Sequence, residues 1–513
     1  MQHAVPDRSA SSGTRRAWAA LATVVLVAGC GGGGGGGSAA SSPALAASAD
    51  AQHCSASNPF RFDATAATSP GDLATEKRWL RAYMDAAYLW YREIPVVDAA
   101  APSFSADTAA GFYPSIDNYF AALKTPQVTV SGRAKDEFSF TYPTRLWRQL
   151  SQSGITLGYG IEWSLQSAAP PRNIRIAYVE PSSPAADAGL QRGDTLVSVN
   201  GVSADDGTDA GVELLNAALF PTAVGTYGFN FSRNGSALPA QVFTAGYIVK
   251  QPVLQTQVLD VGGQRVGYIV FNDHVIPSEA QLIAAVQTLA AVGVSDLVLD
   301  LRYNGGGYLY IASELAYMIA GPARTAGRAF ERLRYNDKRS AENVTEPFRN
   351  VSCLLNSSFN CTSVQPLPTL DLGRVYVLAS GSTCSASESL VNSLRGVDVE
   401  VHLIGGRTCG KPYGFTARDN CGISYFPIEF QGVNDKGFGD YADGFAPACE
   451  AGDDLSQPLG AATEGQLAAA LYLRANGSCA PPVAVTTGST TARARLMLRG
   501  PARENRIFAP QLR

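Results

Sequence analysis

The spacing of apolar residues divides the chain into regions of different secondary structure. Over residues 54–150, aromatic side chains recur at helical intervals, as at Trp79 and Tyr83, which predicts a helical domain whose helices each bury one stripe. An aromatic ligand site is the alternative, but such stripes are more often core. Over residues 250–482, short apolar runs such as 266–271 alternate with amphipathic segments, which is typical of an α/β core.

The intervening residues 151–249 have the pattern of short strands joined by turns. Residues 185–188 predict a short helix that ends at Gly189, since glycine is favoured where a helix stops with a positive φ. The alternating strand 195–199 then runs into Asn200-Gly201, a strong hairpin signal. This region resembles a PDZ domain, and its length fits one such module.

The PDZ resemblance implies a binding site for peptide ends. PDZ domains take up a peptide as an added strand at a sheet edge, and the backbone N–H groups of one loop hold its terminal carboxylate. The matching loop residues are Gly158, Tyr159, Gly160 and Ile161. A module that only braces its neighbour or gates access to it is the alternative, because a fold does not fix a function.

Ser385 is the candidate nucleophile. It follows the strand-like run 375–379 and opens a helix-like run, and a serine side chain is exposed at such a strand-to-helix turn. With Glu388 three residues later it also fits a capping box, so a plain capping role is the alternative. A serine hydroxyl needs a neighbour that takes its proton. Lys411 can do so if burial favours its neutral form.

A glycine-rich turn supplies a second candidate element. Residues 300–307 follow the apolar run 297–299 and precede a helix-like segment at 310–319. Three consecutive glycines at such a turn let backbone N–H groups approach a ligand, as an oxyanion hole requires. A glycine triplet alone predicts only a flexible turn. Together with the serine-bearing turn, it becomes a specific signal.

Three segments in this order resemble the C-terminal processing, or tail-specific, serine proteases: residues 300–307, 382–388 and 405–411. The resemblance implies protein or peptide substrates, and we predict no cofactor. The site residues that it implies are Ser385 as nucleophile, Lys411 as general base, the N–H groups of Ala386 and of one of Gly305, Gly306 and Gly307 as oxyanion hole, and Arg302 in substrate binding.

The chain departs from that family in two ways. Cys384 stands directly before the nucleophile, where the family tends to have a small residue, and a disulfide is the one role that it suggests.

The second departure concerns the residue that orients the lysine. Family members orient the lysine with an aspartate about eleven positions after the serine or a glutamine four after the lysine, and here these positions hold Gly396 and Phe415. The partner that orients Lys411 is therefore unassigned. Asp398 and Glu388 are nearby candidates, although each also fits a solvated or capping carboxylate.

The missing orienting residue keeps two alternatives open. One is a catalytically inactive, PDZ-containing lipoprotein that binds peptides. The other stays within the serine peptidases and uses a histidine as the base, for which His274 and His402 are the candidates, because His3 and His53 fall in the signal segment and the linker.

Residues 1–29 have the layout of an export signal. Two arginines precede the apolar run 17–27, which is too short to span a membrane as a mature helix. Residues 27–30 resemble a bacterial lipobox, which implies a lipid on Cys30 and a protein anchored in the cell envelope, facing the periplasm, with the outer membrane as the expected location. The glycine- and serine-rich linker 30–53 fits a flexible tether. A plain signal peptide is the alternative.

With Cys30 set aside, eight of the nine cysteines remain. An even number in an exported chain predicts disulfides, and eight cysteines allow 105 connectivities. Cys353 with Cys361 and Cys409 with Cys421 are plausible short-loop pairs, and the second would pin the segment that carries Lys411. No cysteine and histidine cluster has zinc spacing, so we predict no metal.

The length of 513 residues, with 46% hydrophobic and 16% charged residues, fits several globular domains. The net charge of −4 and the lack of a basic stripe argue against nucleic acid as a partner. We predict an α/β and α+β multidomain protein, divided as follows: signal peptide 1–29, lipidated cysteine and linker 30–53, helical domain 54–150, PDZ β-sandwich-like domain 151–249, α/β serine protease core 250–482, and an arginine-rich tail 483–513 without an assigned role.

Overall fold

The structure is a computed structural model that describes residues 49–355 and 360–481, together with the backbone of residues 506–508. The expected signal peptide, Cys30 and all other residues of the expected tail lie outside the described part of the chain. Across the described segments, no helix is both long enough and apolar enough to cross a bilayer.

The N-terminal helices bury their aromatic stripes against the α/β core and share one hydrophobic cluster with it. Asp72 caps the first helix, and its side chain accepts a hydrogen bond from the Thr75 N–H at 2.7 Å. Phe140 stacks on Phe426 of the core, with ring centroids 4.4 Å apart. The elements of this region are β1 His53–Ser55, β2 Ser69–Gly71, α1 Leu73–Ala87, α2 Phe112–Ala122, β3 Phe140–Pro143 and α3 Thr144–Ser153.

The PDZ region has a hydrophobic cluster of its own, which includes Trp163 and Phe229. Its elements are β4 Ile155–Gly158, β5 Ile161–Ser164, β6 Arg175–Val179, α4 Pro184–Asp187, β7 Thr195–Val199, β8 Val202–Ser203, α5 Asp209–Leu219, β9 Thr226–Arg233, β10 Ser236–Ala237, β11 Gln241–Thr244 and β12 Gly246–Val249. The main sheet runs in the order β10-β9-β7-β6-β5, which leaves β5 at an edge. The expected hairpin is present, since β7 and β8 pair across Asn200 and Gly201, both with positive φ.

The remaining elements build the α/β core. They are β13 Val253–Val261, β14 Gln264–Phe271, α6 Ser278–Ala291, β15 Asp296–Asp300, β16 Gly306–Tyr308, α7 Leu309–Ala320, α8 Pro322–Thr325, β17 Ala329–Tyr335, β18 Val344–Pro347, β19 Leu354–Leu355, β20 Cys361–Ser363, β21 Arg374–Ala379, α9 Ala386–Gly396, β22 Glu400–Gly405, β23 Tyr413–Gly414, β24 Arg418–Asn420, β25 Ile423–Phe426, β26 Phe430–Val433, β27 Cys449–Glu450, α10 Gly465–Asn476 and β28 Arg506–Phe508. The strand expected at 266–271 is present as β14, and the amphipathic segment that follows it is the helix α6.

The central sheet has six strands in the order β13-β14-β15-β21-β22-β27. All neighbours from β14 to β27 are parallel, and β13 is an antiparallel edge strand. Helices cover both faces, as a parallel sheet requires. One face packs on α6, α7 and α9 through residues such as Leu282, Leu315 and Leu390, and the other packs on α10 through Leu467 and Leu473. Smaller sheets, β18-β17-β26-β23 and β24-β25-β3, flank the core.

Four disulfides join the eight cysteines of the described residues. The expected pair Cys353–Cys361 is confirmed. The expected pair of Cys409 with Cys421 is wrong, because β23 and β24 carry the chain away between them. The actual pairs that involve these two residues are Cys384–Cys409 and Cys54–Cys421, and the fourth disulfide is Cys449–Cys479.

Candidate active site

The candidate site lies where four neighbouring parallel strands end. His274 follows β14, the glycine turn follows β15, Ser385 follows β21 and Lys411 follows β22. Parallel strands present their carboxyl ends at one edge of a sheet, and the crevice outside that edge is where ligands bind in α/β folds. The topology therefore brings the three predicted segments to one edge of the sheet.

Ser385 occupies a strained turn directly before α9. Its φ of 67° and ψ of −119° lie in a region that residues with a side chain rarely adopt, at a cost of about 1–3 kcal/mol. The preceding residue holds the turn in place, since the Cys384 N–H donates to the Asn304 carbonyl at 3.1 Å. The Ser385 hydroxyl is fully buried and faces the Glu388 N–H, as a capping box requires. Within the described residues, however, no group makes a hydrogen bond of normal geometry with this hydroxyl.

Glu388 fastens the serine turn to the lysine segment. Its Oε2 accepts the Ser385 N–H at 2.9 Å and the Lys411 N–H at 2.8 Å. Its Oε1 accepts the Thr408 hydroxyl at 2.6 Å and the Gly410 N–H at 2.9 Å. The carboxyl is fully buried, and burial raises its pKa while these hydrogen bonds oppose the rise. Glu388 thus has the capping role expected from the sequence and, in addition, holds the segment that carries Lys411.

The Cys384–Cys409 disulfide links the same two segments covalently, with the two Cα atoms 5.2 Å apart. It joins the residue before Ser385 to the residue two before Lys411. Sequence reasoning allowed a disulfide at Cys384 but did not identify its partner. The signal that was available is one cysteine beside each motif.

Lys411 is fully buried, and two aromatic rings lie near its amine. Its Nζ lies 4.1 Å from the ring centroid of Phe415 and 5.4 Å from that of Phe138. Phe415 stands where the resembling family has a glutamine, so a ring takes the place of a polar side chain next to the amine. Phe138 belongs to the N-terminal region, and sequence reasoning missed its contribution. The other orienting position, Gly396, ends α9 and faces Asn434.

The glycine turn is organised by Asn304. Its Oδ1 accepts the Gly306 N–H at 2.9 Å and lies 3.0 Å from Nδ1 of His274. The Gly306 N–H is therefore already engaged, which leaves Gly305 and Gly307 as the turn's candidate oxyanion donors. Gly307 has a φ of 144°, and a Cβ there would lie 2.2 Å from the His274 carbonyl oxygen, so only glycine fits.

Ala386 is the first residue of α9, so its N–H has no acceptor within the helix. It adjoins the glycine turn, because Cys384 N–H and the Ser387 hydroxyl both donate to the Asn304 carbonyl, the latter at 3.2 Å. This arrangement is compatible with the expected oxyanion hole, in which the Ala386 N–H and one glycine N–H donate to the same oxygen.

The two candidate histidines lie in different places. The His402 ring stacks on Tyr376, with centroids 5.1 Å apart, on the sheet face that α10 covers. It therefore points away from α9 and from Ser385. His274 is buried beside the glycine turn, and burial lowers its pKa to about 4, so its ring is neutral at pH 7. Sequence reasoning considered His274 as a base and missed its contact with Asn304.

Arg302 does not contact a cleft, contrary to the expectation that it binds substrate. Its side chain has no exposed surface, and its Nη1 and Nη2 donate to Glu464 at 2.6 and 2.9 Å. Its Nε donates to Asp300 at 2.9 Å, and Asp453 accepts a further hydrogen bond at 2.8 Å. A guanidinium enclosed by three carboxylates cannot reach a peptide. Arg302 instead fixes the segment between β15 and the glycine turn.

A PDZ residue joins this charged cluster. Arg192 donates to the Tyr303 hydroxyl and to Asp453, which also holds Arg302. The Arg192 guanidinium is nearly buried, with 8% of its side chain exposed. The PDZ region therefore touches the segment that leads into the glycine turn.

The predicted PDZ loop is mostly closed. Tyr159 is 2% exposed, and its carbonyl accepts the Ala185 N–H at 3.1 Å. The Gly160 carbonyl accepts the Glu180 N–H at 2.8 Å, and Gly158 is paired within β4 and β12. The cavity that these loop residues line has a volume of only about 20 Å³. A cavity of this size has no room for a peptide.

Comparison with known families gives three matches. The model "Peptidase family S41" matches residues 265–419, "PDZ domain" matches residues 175–217, and "Peptidase S41 N-terminal domain" matches residues 75–140. These segments contain the glycine turn, Ser385 and Lys411, the predicted PDZ hairpin, and the aromatic helices.

Two relatives illustrate the similarity. A carboxyl-terminal-processing protease of Picosynechococcus sp. is 25% identical over 264 residues, which are 51% of this chain and 56% of that protein. The chain thus matches little more than half the length of this curated relative. A solved Bacteroides fragilis structure described as an S41 protease has a TM-score of 0.59 at 24% identity, covering 78% of this chain and 97% of its own. That likeness concerns the fold.

Proposed function

We propose that this chain, which belongs to peptidase family S41 and carries a PDZ domain, is a serine endopeptidase with a Ser385–Lys411 dyad. The observation that carries the proposal is that one oxygen of the Glu388 carboxylate accepts the backbone N–H groups of both Ser385 and Lys411. These two hydrogen bonds hold residues from different loops next to each other. The Cys384–Cys409 disulfide supports the same pairing.

In the proposed mechanism the Lys411 amine acts as the general base. This role requires the neutral amine, which full burial away from water favours over an ammonium ion. Lys411 takes the proton of the Ser385 hydroxyl as Oγ attacks the peptide carbonyl carbon. The tetrahedral intermediate then expels the amine, which receives that proton from Lys411. Water attacks the acyl-enzyme in the same way and restores Ser385.

Backbone N–H groups stabilise the negative charge that develops on the carbonyl oxygen. We assign this role to Ala386 together with Gly305 or Gly307, because the Gly306 N–H is held by Asn304. Such donors are fixed before the reaction and therefore cost no reorganisation during it. His274 supports the turn through Asn304 and is a positioning residue in this mechanism.

The proposed substrates are unfolded or C-terminally tagged proteins. The PDZ domain either recruits their C-terminal ends or gates their access to the active site. The closed loop at Tyr159 supports gating, because a peptide must open it in order to bind. The contact of Arg192 with Tyr303 and Asp453 gives such an opening a physical connection to the glycine turn.

The proposed location is the bacterial cell envelope, with a lipid on Cys30 and the folded part facing the periplasm. The four disulfides support this location, because disulfides persist in oxidising compartments. The outer membrane is the membrane that we propose for the anchor.

Covalent labelling tests the proposed activity directly. The full chain, incubated with a fluorophosphonate probe, should acquire one label, which peptide mapping should place on Ser385. The Ser385→Ala variant should remain unlabelled while it still binds peptides. A native chain that binds peptides and never takes up the probe would instead establish the inactive peptide-binding protein.

Loss of the Cys384–Cys409 disulfide should impair catalysis as well as stability. The double variant Cys384→Ala/Cys409→Ala is expected to lose about 3 kcal/mol of unfolding free energy. Its kcat/KM should fall by roughly 10²-fold, the size of effect that a misplacement of about 1 Å produces. Urea unfolding and peptide turnover at 25 °C measure the two effects.

The chain offers a matched control in the Cys353–Cys361 disulfide, which spans the paired strands β19 and β20. The variant Cys353→Ala/Cys361→Ala should turn over peptides like the unaltered chain. Equal kcat/KM values for the two double variants would show that the disulfide beside Ser385 has no special part in the site.

A further inference from the structure

A second segment of the same chain pairs with the glycine turn. Strand β28, Arg506–Phe508, lies parallel to β16, Gly306–Tyr308. The register sets Gly306 opposite Arg506, Gly307 opposite Ile507 and Tyr308 opposite Phe508. The pairing involves the main chain, so it depends on the extended shape of the segment more than on its side chains.

This strand occupies the open edge of β16. Gly307 also forms a parallel bridge with His274, and a strand residue has one neighbour on each side. The His274 side belongs to the fold, since the His274 N–H and carbonyl bind the Gly306 carbonyl and the Tyr308 N–H at 3.1 and 2.7 Å. The opposite side is the one that β28 takes.

Both halves of the candidate site adjoin β28. Its partner β16 contains Gly306 and Gly307 and packs near the start of α9, which Ser385 precedes. The short strand Tyr413–Gly414, which begins two residues after Lys411, also lies next to β28. The segment therefore runs between the serine-bearing wall and the lysine-bearing wall of the site.

Main-chain pairing at a strand edge is a general way to bind an extended peptide without reading every side chain. A protease that accepts many unfolded sequences needs this kind of recognition beside its nucleophile. The edge of β16 has the required position, since it adjoins the candidate oxyanion donors, and β28 shows that an extended peptide segment fits there.

We propose that the edge of β16 is the strand site for the substrate main chain and that Arg506–Phe508 occupies it in cis as a competing ligand. The inference rests on the proposed function in one respect, namely that the ligand with which Arg506–Phe508 competes is an extended peptide substrate. A tethered ligand acts at an effective concentration in the millimolar range, so a dissociation constant on the order of 0.1 mM in trans would still give about tenfold competition.

A binding experiment tests the site without any need for catalysis. The labelled nonapeptide of residues 503–511, RENRIFAPQ, is titrated by fluorescence anisotropy against the full-length Ser385→Ala chain. The same titration is made with Ile507→Pro/Phe508→Pro added. Alternate N–H groups of a strand point to opposite sides, so replacing two consecutive residues removes the donor that faces β16, whichever one it is.

The double proline variant should bind the peptide about tenfold more tightly than the chain with an unaltered segment. The control Ile507→Val/Phe508→Tyr, which keeps both N–H groups and strand-forming residues, should bind it as weakly as the unaltered segment does. Equal dissociation constants in all three proteins, or no binding to any of them, would overturn the inference.

A turnover experiment separates this inference from the proposed function. With Ser385 intact, the double proline variant should cleave a short unlinked peptide with a KM about tenfold lower than that of the unaltered chain. Absence of turnover in every variant would reject the peptidase while the anisotropy result still decides the strand site. Normal turnover with the same KM in both would reject the competition and leave the peptidase standing.

Discussion

Lys411→Met should lower kcat/KM for a casein-derived peptide by about 10²–10⁴-fold, which is what a general base contributes. Methionine keeps an unbranched apolar chain of similar length, so it can fill the space between Phe415 and Phe138 without the amine. The melting temperature should therefore change little. Peptide turnover and thermal unfolding of the same preparation measure the two properties.

Lys411→Arg is the informative companion variant. A guanidinium is positively charged and cannot give up its proton near neutral pH, so it cannot act as a base. Both variants should be inactive if Lys411 takes the Ser385 proton. Activity in the arginine variant would mean that the charge of Lys411 matters and its basicity does not.

His274 provides the competing base. Its burial beside Asn304 lowers its pKa to about 4, which makes the ring a weak proton acceptor. His274→Ala should reduce turnover less than Lys411→Met does, through loss of support for the glycine turn. The reverse order would move the base from Lys411 to His274.

The sequence was sufficient to identify Ser385 and the glycine turn as candidate elements, since each stands at a turn between an apolar strand and a helix. The strand order, which the structure provides, brings these two turns and Lys411 to one edge of the sheet. Family resemblance then assigned their roles. These inferences depend on local order along the chain, which a single sequence displays.

Contacts between distant segments were not accessible in this way. Cys384 had seven possible partners among the eight cysteines, which allow 105 connectivities in all. The burial of Arg302 depends on Asp453 and Glu464, more than 150 residues away. The aromatic wall around Lys411 includes Phe138 from the N-terminal region. Such features follow from tertiary packing and leave no periodic signal near the residue concerned.

Glu388 shows where local reasoning reaches its limit. The spacing from Ser385 predicted a capping box, and the Ser385 N–H does donate to Glu388. Its bonds to Thr408, Gly410 and Lys411 depend on how β22 and the following loop pack against α9. A residue that caps a helix thereby also sets the position of the proposed base.

Glu388→Gln should lower kcat by roughly 10- to 100-fold with KM almost unchanged. A carboxylate accepts on both oxygens, whereas an amide accepts on one and donates from the other. In either orientation of the amide, at least one of the N–H groups of Ser385, Gly410 and Lys411 then faces a donor. One lost hydrogen bond to a charged group costs about 1.5–3 kcal/mol, which corresponds to that loss in rate.

The split between kcat and KM distinguishes positioning from a general loss of structure. Glu388 acts on Ser385 and Lys411 through their backbone N–H groups and its own carboxyl is fully buried, so the bound substrate should keep its affinity. The rate of fluorophosphonate labelling at Ser385 should fall in parallel with kcat. A variant with lowered stability but a normal labelling rate would assign Glu388 a purely structural role.

Glu331→Gln is the matched control for this prediction. Glu331 is equally buried beside α9 and accepts the Ser389 hydroxyl at 3.1 Å. Burial raises its pKa to about 8, so the carboxyl is protonated at neutral pH, where an amide imitates it closely. The stability linked to this raised pKa is fully present below about pH 4.5 and is lost progressively as the pH rises from there through 8. At pH 7 the control should therefore retain turnover, and only Glu388→Gln should lose it.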